Sequence, residues 1–426
     1  MRTPHSARFI LAAFLVVAAA SLVFAGGAGE KPMAKSITIG AEAGGPYQLF
    51  YKDLAAKQFT PKTGITVNWV DVPHTDMHQK FLTEAASGAG AIDVFNADQP
   101  WVPEFAAAGY LVALDKYITA DDKADILQTA LDTVSYNGKI YALPYLVHDN
   151  VLYYRTDLLQ KAGISAPPTT WAEYIADAQK LTGGDVYGTI VEGKQAGAAS
   201  AKFLDIVYQA GGSVFDSHGN PAIDGAWIDA FNFYLDLIYT YKVVPPGSPT
   251  FDNADTHNLL IQGKLAMAPG WPYMFSMVRD PKISKVVGLV KVGEQPGKVK
   301  QTAAVFSWGF CVNTASKAQD AAASFLKFAT STDAIATLAT TFINPAIRRS
   351  ALDRMQKDPA ISEADRNVIA AMTADVEHGR TIPMIPQWPR IDERIQWALS
   401  AVTSRQVTPE QAAAQLTNDI QGIMKK

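Results

Sequence analysis

Side chains able to do chemistry are sparse in this chain, and their spacing excludes most reactions. GxSxG, HExxH, a Walker A loop and GxGxxG are all missing from the sequence. No nucleophile elbow, zinc helix or phosphate cradle is therefore written into it, and no enzyme activity is expected. His74 and His78 are four apart, and one helical face would present both to a metal. Neither a third His nor a Cys lies nearby, so a solvated helix start accounts for the pair. His257 beside Asp252 and Asp255 is no more specific. No metal and no cofactor are expected. Carboxylate pairs suited to glycoside hydrolysis occur in any chain of this composition, and no glycosidase motif supports them here. What the sequence does offer is rings on loops. Trp271 and Tyr273 sit among Pro269-Gly270 and Pro272, which keeps them out of a core stripe and free to act as stacking platforms. Asp98 follows the apolar run over 92–95, at the carboxyl edge of a strand where open α/β sheets place ligands. Its other reading is a cap on the next helix.

The elements that must hold these residues belong to a globular chain. The 426 residues carry 37 Lys+Arg against 41 Asp+Glu, a net charge of −4, with 48% hydrophobic and 18% charged residues. That is too apolar for disorder and too weakly charged for a nucleic-acid surface. The length allows two or three domains and a large core. A single cysteine, Cys311 in an apolar run, excludes an internal disulfide, an iron–sulfur cluster and a cysteine zinc site. At the N-terminus, Arg2 and Arg8 precede an apolar run over 9–20, and Val23 and Ala25 are small. This pattern predicts a cleaved signal peptide over 1–25, since the run is short of the roughly 20 residues of a spanning helix. Removal leaves 35 basic and 41 acidic residues, or −6. A flexible leader is expected over 26–35. With no cysteine at the cleavage point, no lipid anchor is expected, and the mature chain should diffuse freely in a periplasm.

Local patterns predict strands near 36–40, 65–70 and 92–95 with helices over 47–59 and from Thr75 to about Ser87, a β-α-β-α-β order that implies a mostly parallel sheet. Asn137-Gly138 predicts a hairpin turn. A strand over 151–154, helices over 171–181 and 227–241, a strand over 286–292 and a helical C-terminal third follow.

Several segments form a set: Ala91-Ile-Asp-Val-Phe95 with Trp101 to Gly109, Asn137 to Pro144 with Val151 to Gly163 and Pro168 to Trp171, Gly263 to Met267 with Trp271-Pro-Tyr273, and Trp308 to Val312 with Ala322 to Phe328. In this order they resemble the extracellular solute-binding proteins of ABC importers, in their carbohydrate-binding branch. With echoes over Ile382 to Gln396 and Pro409 to Ala414, they are spread over roughly 36–420. The resemblance implies an α/β, two-lobed periplasmic-binding-protein fold with hinge strands between the lobes. It places one lobe over 36–146 and 291–342 and the other over 147–290 and 343–426, with crossings near 145–150, 287–291 and 342–345. It implies a ligand in the cleft, hinge closure, delivery to membrane permease subunits, and a monomer without nucleic acid.

A sugar packs its C–H faces on aromatic rings and gives its hydroxyls to carboxylates, amides or guanidinium groups. The residues expected to do so are Glu42, Asp98, His148, Asp149, Tyr154, Trp271, Tyr273, Trp308 and Arg348. Arg349, Trp388 and Arg390 are further candidates, and Asp392 occupies the region where several relatives carry a stacking Trp. A mono- or oligosaccharide is the expected ligand; a polyol or another non-sugar solute is the alternative, and a secreted glycoside hydrolase the rival of another class.

Overall fold

The structure is a computed structural model that describes residues 33–425. The expected signal peptide, and the expected leader up to residue 32, lie outside the described residues. Nine strands matter for the site: β1 (Ser36–Glu42), β2 (Thr66–Val72), β3 (Val94–Asp98), β4 (Ala142–His148), β5 (Val151–Arg155), β6 (Met267–Gly270), β7 (Val290–Gly293), β8 (Ala304–Val312) and β9 (Arg380–Thr381). β1, β2 and β3 are parallel, with β1 between the other two. β8 pairs antiparallel with β3 along one edge and with β4 along the other, and β9 adds at its start. These six strands form one sheet, and β6-β5-β7 form a second, antiparallel one.

The parallel core of the first sheet follows from the chain order read above, since helices over Pro46–Leu54 and Met77–Ser87 make the crossovers. Gly88 ends the second of these helices in a left-handed conformation, φ 65°, as a glycine after the last periodic residue predicts. Asn137 and Gly138 both take positive φ, 47° and 74°, in the short hairpin between Ser135–Tyr136 and Lys139–Ile140. The expected Asn-Gly turn is therefore present.

Two apolar cores sit behind the two sheets. The first includes Ile39, Phe81, Phe95, Phe310 and Phe325, and the second Phe203, Trp227, Phe231, Trp388 and Leu399. Cys311 is buried in the first core, where burial pushes its thiol well above the usual range. β8 begins against the second core at Ala304 and Phe306 and ends in the first at Phe310 to Val312, so this strand is itself a connection between lobes.

The crossings differ from those expected in two places. The chain leaves the first sheet between β4 and β5, at Asp149–Asn150. It returns over 294–303, after β7 rather than within 287–291, because Val290–Gly293 still pairs with β5. The helices Arg349–Lys357 and Glu363–His378 bury Ala351, Met355, Ile369, Met372 and Val376 in the first core. The segment from 343 to 376 thus packs with the first lobe, where the second was expected. β9 follows, and the helices Trp388–Thr403 and Pro409–Met424 then join the second core.

Candidate functional site

The carboxyl ends of β1 and β3 place Glu42 and Asp98 side by side, since both strands end at the same edge of the sheet. Trp308 on β8 lies in register with Asp98. Its ring stands edge-on to Trp101 at 5.8 Å and tilted to His74 at 5.7 Å. His74 also brings Nδ1 to 3.6 Å from Glu42 Oε1. Tyr47, near the start of the first helix, packs its ring edge-on to Phe342 at 4.8 Å, and its hydroxyl accepts a hydrogen bond from Asn344 Nδ2 at 2.9 Å. These residues make the first wall.

The second wall is the loop after β6 together with two helices. The Tyr153 hydroxyl contacts the carbonyl oxygens of Trp271 and Pro272, at 2.7 and 3.0 Å, and pins that loop. Trp271 is only 7% exposed, with its ring edge-to-face with His148 at 4.7 Å and Phe306 at 5.7 Å. Tyr273 is half-buried; its hydroxyl accepts from Asn253 Nδ2 at 2.9 Å and stands 3.3 Å from His257 Nε2. Asn253 is held in turn, because its Oδ1 accepts from Lys202 Nζ at 3.1 Å. Lys202 forms a buried ion pair with Glu192, which also takes the Thr256 hydroxyl at 2.5 Å. A desolvated pair of this kind fixes geometry more than it adds stability, and here it orients the amide that orients Tyr273. On the helix Trp388–Thr403, Asp392 accepts from Ser200 Oγ and Gln396 Nε2, both at 2.7 Å.

The walls face each other across the lobes. Burial chiefly raises both the Tyr47 and the Tyr273 hydroxyls; Tyr273 lies near enough to add to the shift of Tyr47, and the charge of Glu42 acts on both. Asp98 feels Asp392 and Glu42. Burial raises the Asp98 carboxyl to about 7; the backbone N–H of Gln99 opposes the shift, and the Asp392 and Glu42 charges add to it. Asp98 nonetheless keeps part of its surface open, and no side chain satisfies it among the described contacts. Burial likewise raises Asp392 to about 6, against the hydrogen bonds from Ser200 and Gln396. Burial lowers His148 to about 3 and His257 to about 4, so both imidazoles are neutral near pH 7. The site therefore offers rings, neutral donors and three carboxylates. Charge-assisted hydrogen bonds to hydroxyl groups are what such carboxylates form best.

Of the nine residues singled out in the sequence, the structure gathers Glu42, Asp98, His148, Trp271, Tyr273 and Trp308 around this cleft. Three lie elsewhere. Arg348 is buried within the first lobe: its Nε donates to Thr330 O at 2.5 Å, Nη1 to Asp125 at 2.9 Å and Nη2 to Asp122 at 3.3 Å. Every nitrogen of that guanidinium is engaged, which leaves nothing for a ligand. Arg349 is exposed and pairs with Glu377 at 2.7 Å. Asp149 is buried, and the charges acting on it come from Asp375, Asp205 and Glu294 instead of the cleft carboxylates. Successive residues leaving a strand point to opposite faces, so His148 and Asp149 cannot both reach the ligand side. Tyr154 packs with the second core, near Gly293 and Pro167. Trp388 is fully buried in that core.

Sequence reasoning missed Tyr47, Trp101 and Asn253 as members of the walls. Tyr47 shows only helical spacing in the sequence, and a cross-lobe pairing leaves no local pattern. Asp392 stands out in the sequence only as a departure from relatives. His78 pairs with Glu104 at 2.7 Å, whereas His74 lies against Glu42 and Trp308. Among the described residues, no three His, Cys, Asp or Glu side chains come together as a metal site.

Two lobes, three crossings and a cleft lined by rings and carboxylates define a class of solute-binding proteins, and sequence comparison agrees. Residues 44–336 match the family described as bacterial extracellular solute-binding protein, and the chain belongs to that family. It is 28% identical over 384 residues to a probable amino-acid ABC transporter periplasmic-binding protein of Sinorhizobium fredii, covering 87% of this chain and 85% of that one. Among solved structures, maltose-bound MalE3 of T. maritima superposes with a TM-score of 0.82 at 26% identity, covering 92% of this chain and all of that one (100%). An ABC transporter solute-binding protein of Agrobacterium radiobacter in complex with ribitol gives a TM-score of 0.79 at 26% identity, over 91% of this chain and 99% of that one. The fold is thus the two-lobed periplasmic-binding-protein fold, and the chain is an ABC-type solute-binding protein. No described helix is long and apolar enough to cross a membrane.

Proposed function

We propose that this protein is the periplasmic receptor of an ABC importer for a neutral, hydroxyl-rich solute, a sugar or a sugar alcohol. It holds the solute between its lobes and delivers it to membrane permease subunits. Carrying no chemistry of its own, it acts as a monomer. Trp308 and Tyr273 supply ring faces from opposite walls, with Trp101 and Trp271 bracing or extending them. Glu42, Asp98 and Asp392 accept hydroxyl protons. The observation that carries the reading is Asp98: a carboxylate at a strand's carboxyl edge, in register with Trp308 and without a side-chain partner among the described contacts. A hydroxyl donated by the ligand satisfies it.

The solved relatives with maltose and with ribitol support this class. The name of the Sinorhizobium fredii relative raises an amino acid instead. An α-carboxylate needs a cation, and the buried basic residues Arg155, Lys202 and Arg348 are each paired with a carboxylate of their own. An amino acid would also bring its carboxylate against Glu42, Asp98 and Asp392. Ligand shifts the open–closed balance only by binding the closed state better. The ring-bearing loop after β6 meets the carboxylates of β1 and β3 only when the lobes approach.

Calorimetry of the mature chain against maltose, glucose, ribitol, mannitol and a set of amino acids tests the reading. Saturable uptake of a sugar or polyol is expected. Uptake of amino acids alone overturns it.

A further inference from the structure

Behind the cleft, where the lobes join, a second cavity of about 280 Å³ is lined by Asp149, Asn150, Glu294, Gln295, Thr302 and Asp375. Each of the three connections contributes a carboxyl: Asp149 from the first, Glu294 from the second, and Asp375 from the helix that leads into the third. Asp149 is 3% exposed and Asn150 2%. Asp149 Oδ1, Asn150 Oδ1 and Thr302 Oγ1 are buried without a hydrogen-bond partner. Such orphaned acceptors are costly unless a partner arrives.

The amide donors here are already committed. Asn150 Nδ2 donates to Asp205 at 2.9 Å, and Gln295 Nε2 donates to Asp205 at 3.0 Å and to Asn150 O at 2.9 Å. Asp205 also accepts the backbone N–H of Ala304 at 2.7 Å. Asn150 is thereby held with its acceptor free. The cavity offers acceptors and negative charge, and His378 is the one lining side chain that can carry a positive charge. Lys202 acts on Asp205 from behind, but it is engaged by Glu192 and Asn253.

We propose that this hinge cavity binds a small organic cation, one or two ammonium groups on a short carbon frame. Its N–H donors would meet Asp149 Oδ1, Asn150 Oδ1 and the Glu294–Asp375 pair. A bare metal ion fits less well, because the acids do not converge on one centre, whereas a diamine carries its charge at two points. A cation held by all three connections grips the hinge itself, so its affinity depends on the lobe angle. Burial and the neighbouring Glu294 carboxyl raise Asp375 to about 7, and burial with the charges of Asp375 and Asp205 raises Asp149 further. Cation binding therefore tightens as pH rises from 6 to 8, while Asp375 ionises.

The test is calorimetry of the full chain with 1,4-diaminobutane, methylammonium chloride and calcium chloride at constant ionic strength, at pH 6 and pH 8. Saturable 1:1 uptake of the diamine is expected, tighter at pH 8 and at least tenfold weaker in Asp149→Asn and in Asp375→Asn. Asp375 is the more exposed of the two, so Asp375→Asn decides the matter if Asp149→Asn does not fold. Absence of saturable diamine uptake, unchanged affinity in Asp375→Asn, or tighter binding of calcium than of diamine overturns the proposal. Displacement of the diamine by a sugar, with loss of both in Asp98→Asn, also overturns it by placing the amine in the cleft. Failure of the sugar panel alone leaves the diamine result to stand by itself.

Discussion

Asp98 ties ligand affinity to pH. Its carboxyl titrates at about 7 because burial disfavours the charged form and Asp392 and Glu42 lie across from it. A hydroxyl is held more strongly by the ionised form. With that pKa, roughly nine-tenths of the molecules carry the charge at pH 8 and roughly one-tenth at pH 6. Apparent affinity therefore falls about tenfold over that range, about 1.4 kcal/mol. Asp392, at about 6, adds roughly a further factor of two at the acid end. Replacing Asp98 by Asn should give a weaker, much flatter affinity. The same change should stabilise the empty protein. Asp98 titrates higher folded than unfolded, so its contribution to stability is present below pH 4 and is lost as pH rises through 7. Asn carries no such penalty, and at pH 8 the variant should gain about 1–2 kcal/mol once the open side of the carboxyl is allowed for. Calorimetry at pH 6, 7 and 8 with thermal melts of both proteins reads all of this. A wild-type affinity that is flat between pH 8 and 6, or the full wild-type slope kept by Asp98→Asn, refutes the argument.

Other perturbations separate the rings from the frame. Trp308→Ala should weaken ligand by about 1–3 kcal/mol through lost stacking area, read by calorimetry, with a smaller loss of stability. Trp271→Ala empties a nearly buried position between His148 and Phe306 and should cost about 3–5 kcal/mol of stability in a denaturant melt as well as weakening the ligand. Arg348→Ala leaves Asp122 and Asp125 without their cation and should destabilise by about 3–5 kcal/mol. Ligand affinity of the folded variant should be unchanged, and a large loss would return Arg348 to the site. Saturating ligand should shrink the radius of gyration in small-angle scattering; equal radii with and without ligand would reject lobe closure.

How much of this was legible in the sequence depends on the range of the signal. The parallel order of β1 to β3, the Asn137-Gly138 turn and the placing of Asp98 at a strand end all follow from local patterns. Trp271 and Tyr273 were legible because proline and glycine fence them onto a loop. Arg348 was misplaced because an arginine near a crossing gives no sign of which carboxylates it meets. Asp122 and Asp125 lie more than two hundred residues away. Asp149 could not be told from His148, since one residue of phase decides which side of the hinge a chain leaving β4 addresses. The late crossing after His378 was hidden because the helices from 349 to 378 have an apolar face that either core could take. Tyr47, Asn253 and Asp392 come together only through contacts between distant segments.

β8 sits between β3 and β4 in the first sheet, yet it is made about two hundred residues after β3. Until it emerges, both neighbours present bare edges and the sheet cannot close. The earlier half of the chain is thus a poor folding unit, and an intermediate that commits early risks pairing with another copy. A chain built this way completes its first sheet only after most of it has been made. The last third of the chain is therefore what turns two open-edged pieces into one sheet.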